Sequence, residues 1–123
     1  ITRFSRHEGR IHVAFYPSEY FPYSEYLSET RTYPGYDPYA IMVSVAHEEG
    51  LCFEAWINPY RLSMGEETTV SFENTSFYTE YQSVILEYKG QNGTCLALNP
   101  ENPEAQQLVI DQVVEILDRY PVD

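Results

Sequence analysis

Basic residues are scarce in this chain. It contains 7 Lys and Arg against 19 Asp and Glu, which gives a formal net charge of -12 at pH 7. Nucleic-acid binding depends on clustered Lys and Arg that neutralise phosphates, so this balance argues against a nucleic-acid partner. The same charge disfavours binding to an anionic membrane surface.

Cysteine is also rare. Cys52 and Cys95 are too few for a disulfide framework, and they do not form the CxxC spacing of a zinc site. His7 and Glu8 begin a pattern like HExxH, but the next His is His12, one residue too far along to share a helix face with His7. We therefore predict two buried thiols, no metal site and no cofactor.

Long hydrophobic runs are absent from the sequence. No apolar stretch approaches the ~20 residues that a membrane helix needs, and residues 1–10 (ITRFSRHEGR) lack the apolar core of a signal peptide. We expect no membrane insertion in this segment. The hydrophobic fraction of 43% suits one globular domain, and because the chain has no initiator Met we expect it to be a piece of a longer protein.

Aromatic residues, in contrast, are abundant, with 12 Tyr and 6 Phe. Residues 13–36 combine many of them with three prolines, which predicts a long functional loop. A Tyr ring suits stacking on a sugar and suits half-buried packing equally, so composition leaves both roles open. For the polar residues 1–12 we predict a solvated loop or frayed terminus, in which Arg10 and His12 could still line a site.

Residues 51–61 (LCFEAWINPYR) have the pattern of a buried parallel strand that ends in polar residues. Side chains alternate along a strand, so each face carries its own set. One face is apolar and consists of Phe53, Ala55 and Ile57. The other face carries the residues suited to chemistry, namely Cys52, Glu54, Trp56 and Asn58.

Helices are predicted on both sides of this strand. Asp37 and Pro38 begin the first helix and Gly50 ends it, whereas Asn102 and Pro103 begin the second. The inner face of the first helix is predicted to consist of Ile41, Met42, Val45 and Ala46. The outer face of the second is predicted to be solvated and non-catalytic, with the polar residues Gln107, Asp111, Glu115 and Asp118.

The segment between the strand and the second helix is predicted to contain a long irregular connection and then a β-hairpin. The hairpin strands are residues 84–88 and 94–98, closed by Asn92-Gly93. The order of elements predicts an α/β protein with parallel strands. The neighbours of the buried strand are either the N-terminal segment and the hairpin, in an unusual small fold, or strands of a barrel that lie outside the chain.

Several motifs occur in one order along the chain: YPSEYFPYSEY, PGYDP, AHEEGLCFEAWINPYRLS and NPENPEAQQLVIDQVVEILDRYPVD. Together they resemble glycosyl-hydrolase-like family ten over residues 13–123. The resemblance implies that residues 1–123 are a partial domain, truncated at both ends. This domain is a fragment of a (β/α)8 TIM barrel, about strands 2 to 4, with long βα loops and an inserted β-hairpin. It also implies a glycoside hydrolase that acts on a bacterial cell-envelope or related polysaccharide, in an extracellular or cell-envelope location.

The resemblance further implies substrate-binding residues in the YPS, WxNPYR and NP segments, namely Tyr16, Ser18, Trp56, Asn58, Tyr60, Arg61 and Asn99. Family sequences continue into a strand whose acids are the expected main catalytic carboxylates, beyond Asp123. The chain departs from the family pattern at three positions. Val13 stands where many members have Asp, Glu54 where His is frequent, and Pro121 where a polar residue is usual.

Glycoside hydrolysis normally needs two carboxyl groups, and Glu54 is the one good candidate in this chain. Its apolar strand favours the protonated acid, which suits proton donation. Alternatively, Glu54 pairs with Arg61, with Arg10 or with a barrel residue elsewhere. Arg61 could bind glycan hydroxyls or a carboxylate, or form a salt bridge with a rim acid, and Trp56 could contact a sugar or pack inside the barrel.

The main alternative to an enzyme is a non-catalytic carbohydrate-binding or structural α/β domain. An interaction module with an acidic surface ranks last, because no motif supports it. A reading frame that continues past Asp123 into a strand with paired acids would favour the enzyme. The isolated fragment is expected to be inactive, because a few strands cannot close a barrel. The sequence predicts no oligomeric state.

Overall fold

The structure, a computed structural model, describes residues 3–7, 14–24, 27–29 and 32–123. It is a mixed α/β arrangement. In chain order the elements are β1 (Arg3–His7), α1 (Pro38–Glu48), β2 (Cys52–Trp56), α2 (Glu66–Glu73), α3 (Ser76–Tyr81), β3 (Ile85–Gly90), β4 (Gly93–Leu98) and α4 (Pro103–Arg119). No helix in this part of the chain is long and apolar enough to span a membrane.

The central strand β2 pairs in parallel with β1, with Phe4 opposite Phe53 and Ser5 opposite Glu54. The prediction of a loop or frayed terminus is therefore wrong for residues 3–7. The sequence RFSRH lacks the apolar alternation that would predict a strand. It forms a strand because its backbone pairs with that of β2. Arg10, His12 and Val13 lie outside the described residues.

Helix α1 confirms the predicted cap. The Asp37 carboxylate accepts hydrogen bonds from the amides of Tyr39 and Ala40, at 3.0 and 3.1 Å, which satisfies two free N–H groups of the first turn. Gly50 follows the helix with a φ of +71°. The predicted inner face is wrong in part, because Ile41 and Val45 are about half exposed, while the buried residues are Tyr39, Val43 and Ala46.

The buried face of α1 is set by a cluster of aromatic rings, which we call the aromatic cluster: Tyr16, Tyr39, Phe53 and Tyr120. The centroid of the Tyr39 ring lies 5.7 Å from Tyr16, 5.3 Å from Phe53 and 4.9 Å from Tyr120. The hydroxyl of Tyr120 donates to the second oxygen of Asp37 at 2.6 Å. The loop after β1, helix α1, strand β2 and the end of α4 thus meet at one point.

The predicted irregular connection after Arg61 contains two helices, so that prediction is wrong. The Thr and Ser residues of this segment have low helix propensity, and contacts with the hairpin stabilise helix α2. Thr69 on α2 is buried, and its hydroxyl donates to the carbonyl of Thr94 at 2.7 Å. Glu66 accepts the amide of Thr94 at 3.0 Å. On α3, Phe77 stacks on Phe21 of the loop, with centroids 5.0 Å apart.

The predicted hairpin is present as β3 and β4, but its turn lies one residue earlier. Gly90 pairs with Gly93, so Gln91 and Asn92 form the two-residue turn, and Gly93 has a φ of +105°. Strand β4 also pairs with the segment after β2, because Leu98 donates its amide to the carbonyl of Tyr60 at 2.8 Å and Leu62 donates to that of Leu96 at 2.9 Å. The hairpin is therefore attached to the core through the NPYR segment.

Helix α4 begins as predicted, with the Asn102 side chain accepting the amide of Glu104 at 2.9 Å. After α4 the chain returns to β2. The amide of Asp123 donates to the carbonyl of Phe53 at 2.8 Å, and its carboxylate accepts the Phe53 amide at 2.7 Å. Because Phe53 uses both backbone groups toward Asp123, Asp123 lies along the edge of β2 that β1 does not occupy.

We expect Tyr120→Phe to reduce the free energy of unfolding by about 1.5 kcal/mol, because it removes a hydrogen bond to a carboxylate. Burial, and then the bond to Asp37, raise the pKa of Tyr120 above its ordinary value of 10.0. Because the pKa of Tyr120 is raised in the folded state, its contribution to the free energy of unfolding is fully present below the pKa of Tyr in the unfolded chain. The contribution is lost as the pH rises above about 10.

Denaturant unfolding measured from neutral to alkaline pH tests this prediction. The wild type should lose stability more steeply above about pH 10 than Tyr120→Phe does. Tyr36→Phe, at an exposed tyrosine, is the matched control and should behave like the wild type. Parallel pH profiles for Tyr120→Phe and the wild type would contradict the assignment.

Candidate functional site

A groove runs between the free edge of β2 and the last turns of α4, and we call it the β2–α4 groove. Its cavity volume is about 760 Å³. The lining residues are mostly apolar: Glu54, Ala55, Trp56, Ile57, Val113, Ile116, Leu117, Val122 and Asp123. The groove therefore contains two residues of the predicted site, Glu54 and Trp56, at the end of the central strand.

Glu54 and Trp56 lie on the same face of β2, as alternation predicts. Glu54 is half-buried, and Trp56 is 56% exposed, although it belongs to the central strand. A large aromatic ring exposed beside an acid is the arrangement that a glycan site uses, with an apolar wall and an oxygen-bearing group close together. This pair is the part of the predicted site that the structure brings together.

Asn58, Tyr60 and Arg61 follow β2 directly and are all half-buried. The backbone of this segment pairs with β4, with Arg61 opposite Ala97. The Tyr60 ring packs against the hydrophobic core, so a sugar-stacking role is not supported by its position. The Nε of Arg61 is buried and has no hydrogen-bond partner among the described residues.

Arg61 also lies near Tyr88 of β3. Burial raises the pKa of the Tyr88 phenol, and the neighbouring Cys95 thiol raises it further, while the positive charge of Arg61 acts in the opposite direction. Arg61 is therefore associated with the hairpin as well as with the end of β2. The predicted rim role of Arg61 stays a prediction, and a salt bridge from Arg61 to an acid is not observed within the described part of the chain.

Tyr16 belongs to the aromatic cluster and is 0% exposed. A ring that is packed edge-on against Tyr39 and Tyr120 offers no face to a sugar. The prediction of substrate binding at Tyr16 is therefore corrected to a packing role. Sequence reasoning could not separate the two, because Tyr suits both environments.

Ser18 is likewise a structural residue rather than a free ligand-binding hydroxyl. Its Oγ accepts the amides of Tyr20 and Phe21, both at 3.1 Å, and donates to the Glu115 carboxylate at 2.7 Å. A hydroxyl with three partners has little capacity left for a substrate. Ser18 therefore holds the loop after β1 against α4.

The prediction of a solvated outer face on α4 is wrong at Glu115, which is only 7% exposed. Besides the Ser18 hydroxyl, it accepts the amide of Glu19 at 2.7 Å, and Arg119 lies 3.3 Å away. Arg119 also donates to the Pro17 carbonyl and binds Glu19 at 3.1 Å. The helical spacing of Glu115 and Arg119 was visible in the sequence, but their loop partners were not.

Asn99, the last predicted site residue, forms the turn between β4 and α4. Its side-chain oxygen accepts the amide of Glu101 at 3.0 Å, and its own amide donates to the carbonyl of Val84 at 2.8 Å. Asn99 is therefore a turn residue, and its position does not support a substrate role.

His47 and Asp123 form a contact that the sequence did not reveal, with Nε2 and Oδ2 2.7 Å apart. The Phe53 amide, and then His47, hold the pKa of the Asp123 carboxyl below its ordinary value. This contact ties the end of α1 to the point where the chain returns to β2. Among the described residues, no group of three or more His, Cys, Asp or Glu is arranged for a metal ion.

We expect Ser18→Ala to reduce the free energy of unfolding by about 1–3 kcal/mol, because it leaves two loop amides and part of the buried Glu115 carboxylate without a partner. Ser44→Ala is the matched control. The Ser44 hydroxyl binds Glu48 on the exposed face of α1, so its loss should cost less than about 0.5 kcal/mol. Urea unfolding measures both variants, and equal losses would contradict the structural role of Ser18.

Comparison with known proteins identifies the family of this chain. Residues 10–123 match the family described as glycosyl hydrolase-like 10. The chain is 34% identical over 111 residues to "Glycosyl hydrolase YngK" of Bacillus subtilis (strain 168), covering 89% of this chain and 21% of that protein. It is 33% identical over 116 residues to "Glycosyl hydrolase DigH" of Escherichia coli (strain K12) and of Shigella flexneri, covering 90% of this chain and 26% of each relative.

The chain thus spans about a fifth to a quarter of the length of these curated relatives. The family match extends over almost the whole chain and confirms the resemblance seen in the motifs. This chain therefore belongs to the glycosyl hydrolase-like 10 family.

Proposed function

We propose that this chain is part of a glycoside hydrolase that cleaves a bacterial cell-envelope or related polysaccharide outside the cell or in the envelope. The observation that carries this proposal is the exposed Trp56 beside Glu54 at the end of β2, within a family match over residues 10–123. In this role the glycan contacts the carboxyl end of β2, where Asn58 and Arg61 follow.

The surroundings of β2 support a place for it within a larger parallel barrel. Asp123 makes the first backbone contact along the free edge of β2, so residues that follow it in the same direction would form the next strand beside β2, in the part of the β2–α4 groove under α4. The apolar side chains of Val113 and Leu117 would then cover that strand. Glu54 and Trp56 would stay available to a glycan, because they lie on the face of β2 opposite to Ala55 and Ile57. We infer that β1, β2 and the strand begun at Asp123 are consecutive barrel strands.

Exposed apolar residues on the flanks of the helices agree with this arrangement. On α1, Ile41 and Val45 are 53% and 51% exposed. On α4, Ile110, which does not line the groove, is 53% exposed. Helices in the outer ring of a barrel pack against neighbours on both sides, so such residues would be covered in a closed barrel.

Filling of the groove can be tested in the full-length protein. Leu117→Glu should reduce the free energy of unfolding by about 3 kcal/mol or more, because it would bury an unpaired charge under the next strand. Val70→Glu, at an exposed residue of α2 away from the groove, is the matched control and should change it by less than about 0.5 kcal/mol. A small effect at both positions would show that the groove stays open to solvent.

Within this site we propose Glu54 as the proton donor. We expect Glu54→Gln in the full-length protein to lower kcat for glycan hydrolysis by about 100-fold or more, because an amide cannot donate the proton that the leaving oxygen needs. The affinity for the glycan should change little. Release of reducing ends from purified cell-envelope glycan measures kcat.

Glu101→Gln, at an exposed acid before α4, is the matched control and should retain wild-type kcat. Wild-type activity in Glu54→Gln would exclude Glu54 as the acid. Binding of the glycan without hydrolysis by the wild-type full-length protein would favour a carbohydrate-binding domain over an enzyme.

A further inference from the structure

Strand β3 has a free edge. Among the strands of the described part of the chain it pairs with β4 alone, and the side chains of Leu86, Glu87, Tyr88 and Lys89 are all exposed. An exposed edge strand presents a row of backbone N–H and C=O groups that a further strand can bind. The question is therefore which strand this edge fits.

The contacts of β4 show which backbone groups of β3 point to the free edge. The carbonyl of Leu96 accepts a hydrogen bond from the segment after β2, and the amide of Thr94 donates one to α2, so both residues direct backbone groups away from β3. In an antiparallel pair, the residue opposite such a position also directs its backbone groups away from its neighbour. Glu87 lies opposite Leu96, and Lys89 lies opposite Thr94. The N–H and C=O groups of Glu87 and Lys89 therefore point to the free edge.

The charges along this edge are complementary to themselves. Glu87 and Lys89 are alternate residues, so their opposite charges lie on the same side of the hairpin. When two copies of β3 pair in antiparallel orientation around a two-fold axis at Tyr88, Glu87 lies opposite Lys89 of the second copy, and Lys89 opposite Glu87. Both are hydrogen-bonded pairs, because both residues direct their backbone groups to the edge. Opposite charges directly across two strands stabilise the pairing.

The same register also brings apolar groups together on the other side of the hairpin. Tyr88 lies opposite Tyr88 of the second copy in a non-hydrogen-bonded pair, which is the kind of pair in which facing side chains are closest. Leu86 lies opposite Gly90 of the second copy, where no side chain obstructs it. Leu86 and Tyr88 are 46% and 44% exposed, so the pairing would cover apolar surface that now faces solvent.

The edge is held in position from behind. Leu96 and Leu98 of β4 are 0% exposed in the core, and α2 binds Thr94 through the hydroxyl of Thr69 and the carboxylate of Glu66. The hairpin is thus a supported sheet rather than a loose loop. A second strand would bind a preformed edge, which lowers the entropy cost of association.

We propose that the free edge of β3 is a dimerisation surface, on which two copies of the protein pair through antiparallel β3 strands around a two-fold axis at Tyr88. The two hairpins then form one continuous sheet. A two-fold contact of this kind uses the same surface on both copies and closes on itself, so the assembly stops at a dimer. The dimer is independent of the reaction that the protein catalyses.

Sedimentation of the full-length protein at a series of concentrations tests the proposal. The wild type should form a dimer whose fraction rises with concentration. Glu87→Lys and Lys89→Glu each place like charges opposite one another at both pairs, so each should lower the association constant about tenfold or more.

An equimolar mixture of these two variants should form a dimer as the wild type does, because every pair across the axis then joins opposite charges. The double variant Glu87→Lys with Lys89→Glu should do so for the same reason. This recovery is specific to the two-fold register, because a contact elsewhere on the protein would not make the two variants complementary to each other.

Glu101→Lys is the matched control, since it makes the same change of charge at an exposed residue of the turn before α4 and should form the dimer as the wild type does. The melting temperatures of the variants should stay near that of the wild type. Glu87 and Lys89 are both exposed, and the hydrogen bond from Lys89 to the Thr94 hydroxyl is long, at 3.3 Å.

Three results would overturn the proposal. A wild type that is monomeric at every concentration would mean that another segment of the full-length protein covers the edge or that the edge stays free. A dimer that persists in both single variants would lie on a different surface. Single variants that stay monomeric when mixed would exclude the register with Glu87 opposite Lys89.

Discussion

The aromatic cluster around Tyr39 is the constraint on which the rest of the structure depends. Its rings come from the loop after β1, from α1, from β2 and from the end of α4, and the centroids of the rings in contact lie 4.9 to 5.7 Å apart. Large rings in mutual contact allow few alternative arrangements. The cluster therefore fixes how both long helices are oriented against the central strand, and Asp37 links the start of α1 to Tyr120.

Polar contacts then fix the loops around this cluster. Ser18, Asn99 and Asp37 each satisfy backbone amides that would otherwise lack partners. Several residues in the family motifs are therefore explained by folding alone. Trp56 and Arg61 are different, because the Trp56 ring is largely exposed and the Arg61 Nε has no hydrogen-bond partner in the described part of the chain.

Among the described residues, two kinds of exposed apolar surface differ in their chemistry. The β2–α4 groove runs along a strand edge where Asp123 already makes backbone hydrogen bonds, which suits another strand. The flanks of α1 and α4 carry aliphatic residues at helical spacing, which suits neighbouring helices.

Local chemistry was sufficient to predict the helix caps at Asp37 and Asn102, the central strand and the hairpin, because each depends on neighbours in sequence. The comparisons confirm the family that the motifs indicated. In contrast, partners far along the chain decide the formation of β1, α2 and α3 and the burial of Tyr16 and Glu115. The Ser18–Glu115 hydrogen bond joins residues 97 positions apart. The motifs of the sequence determined the family and indicated candidate site residues, and only tertiary packing decided which of these residues are already used to hold the fold together, because their partners lie far along the chain.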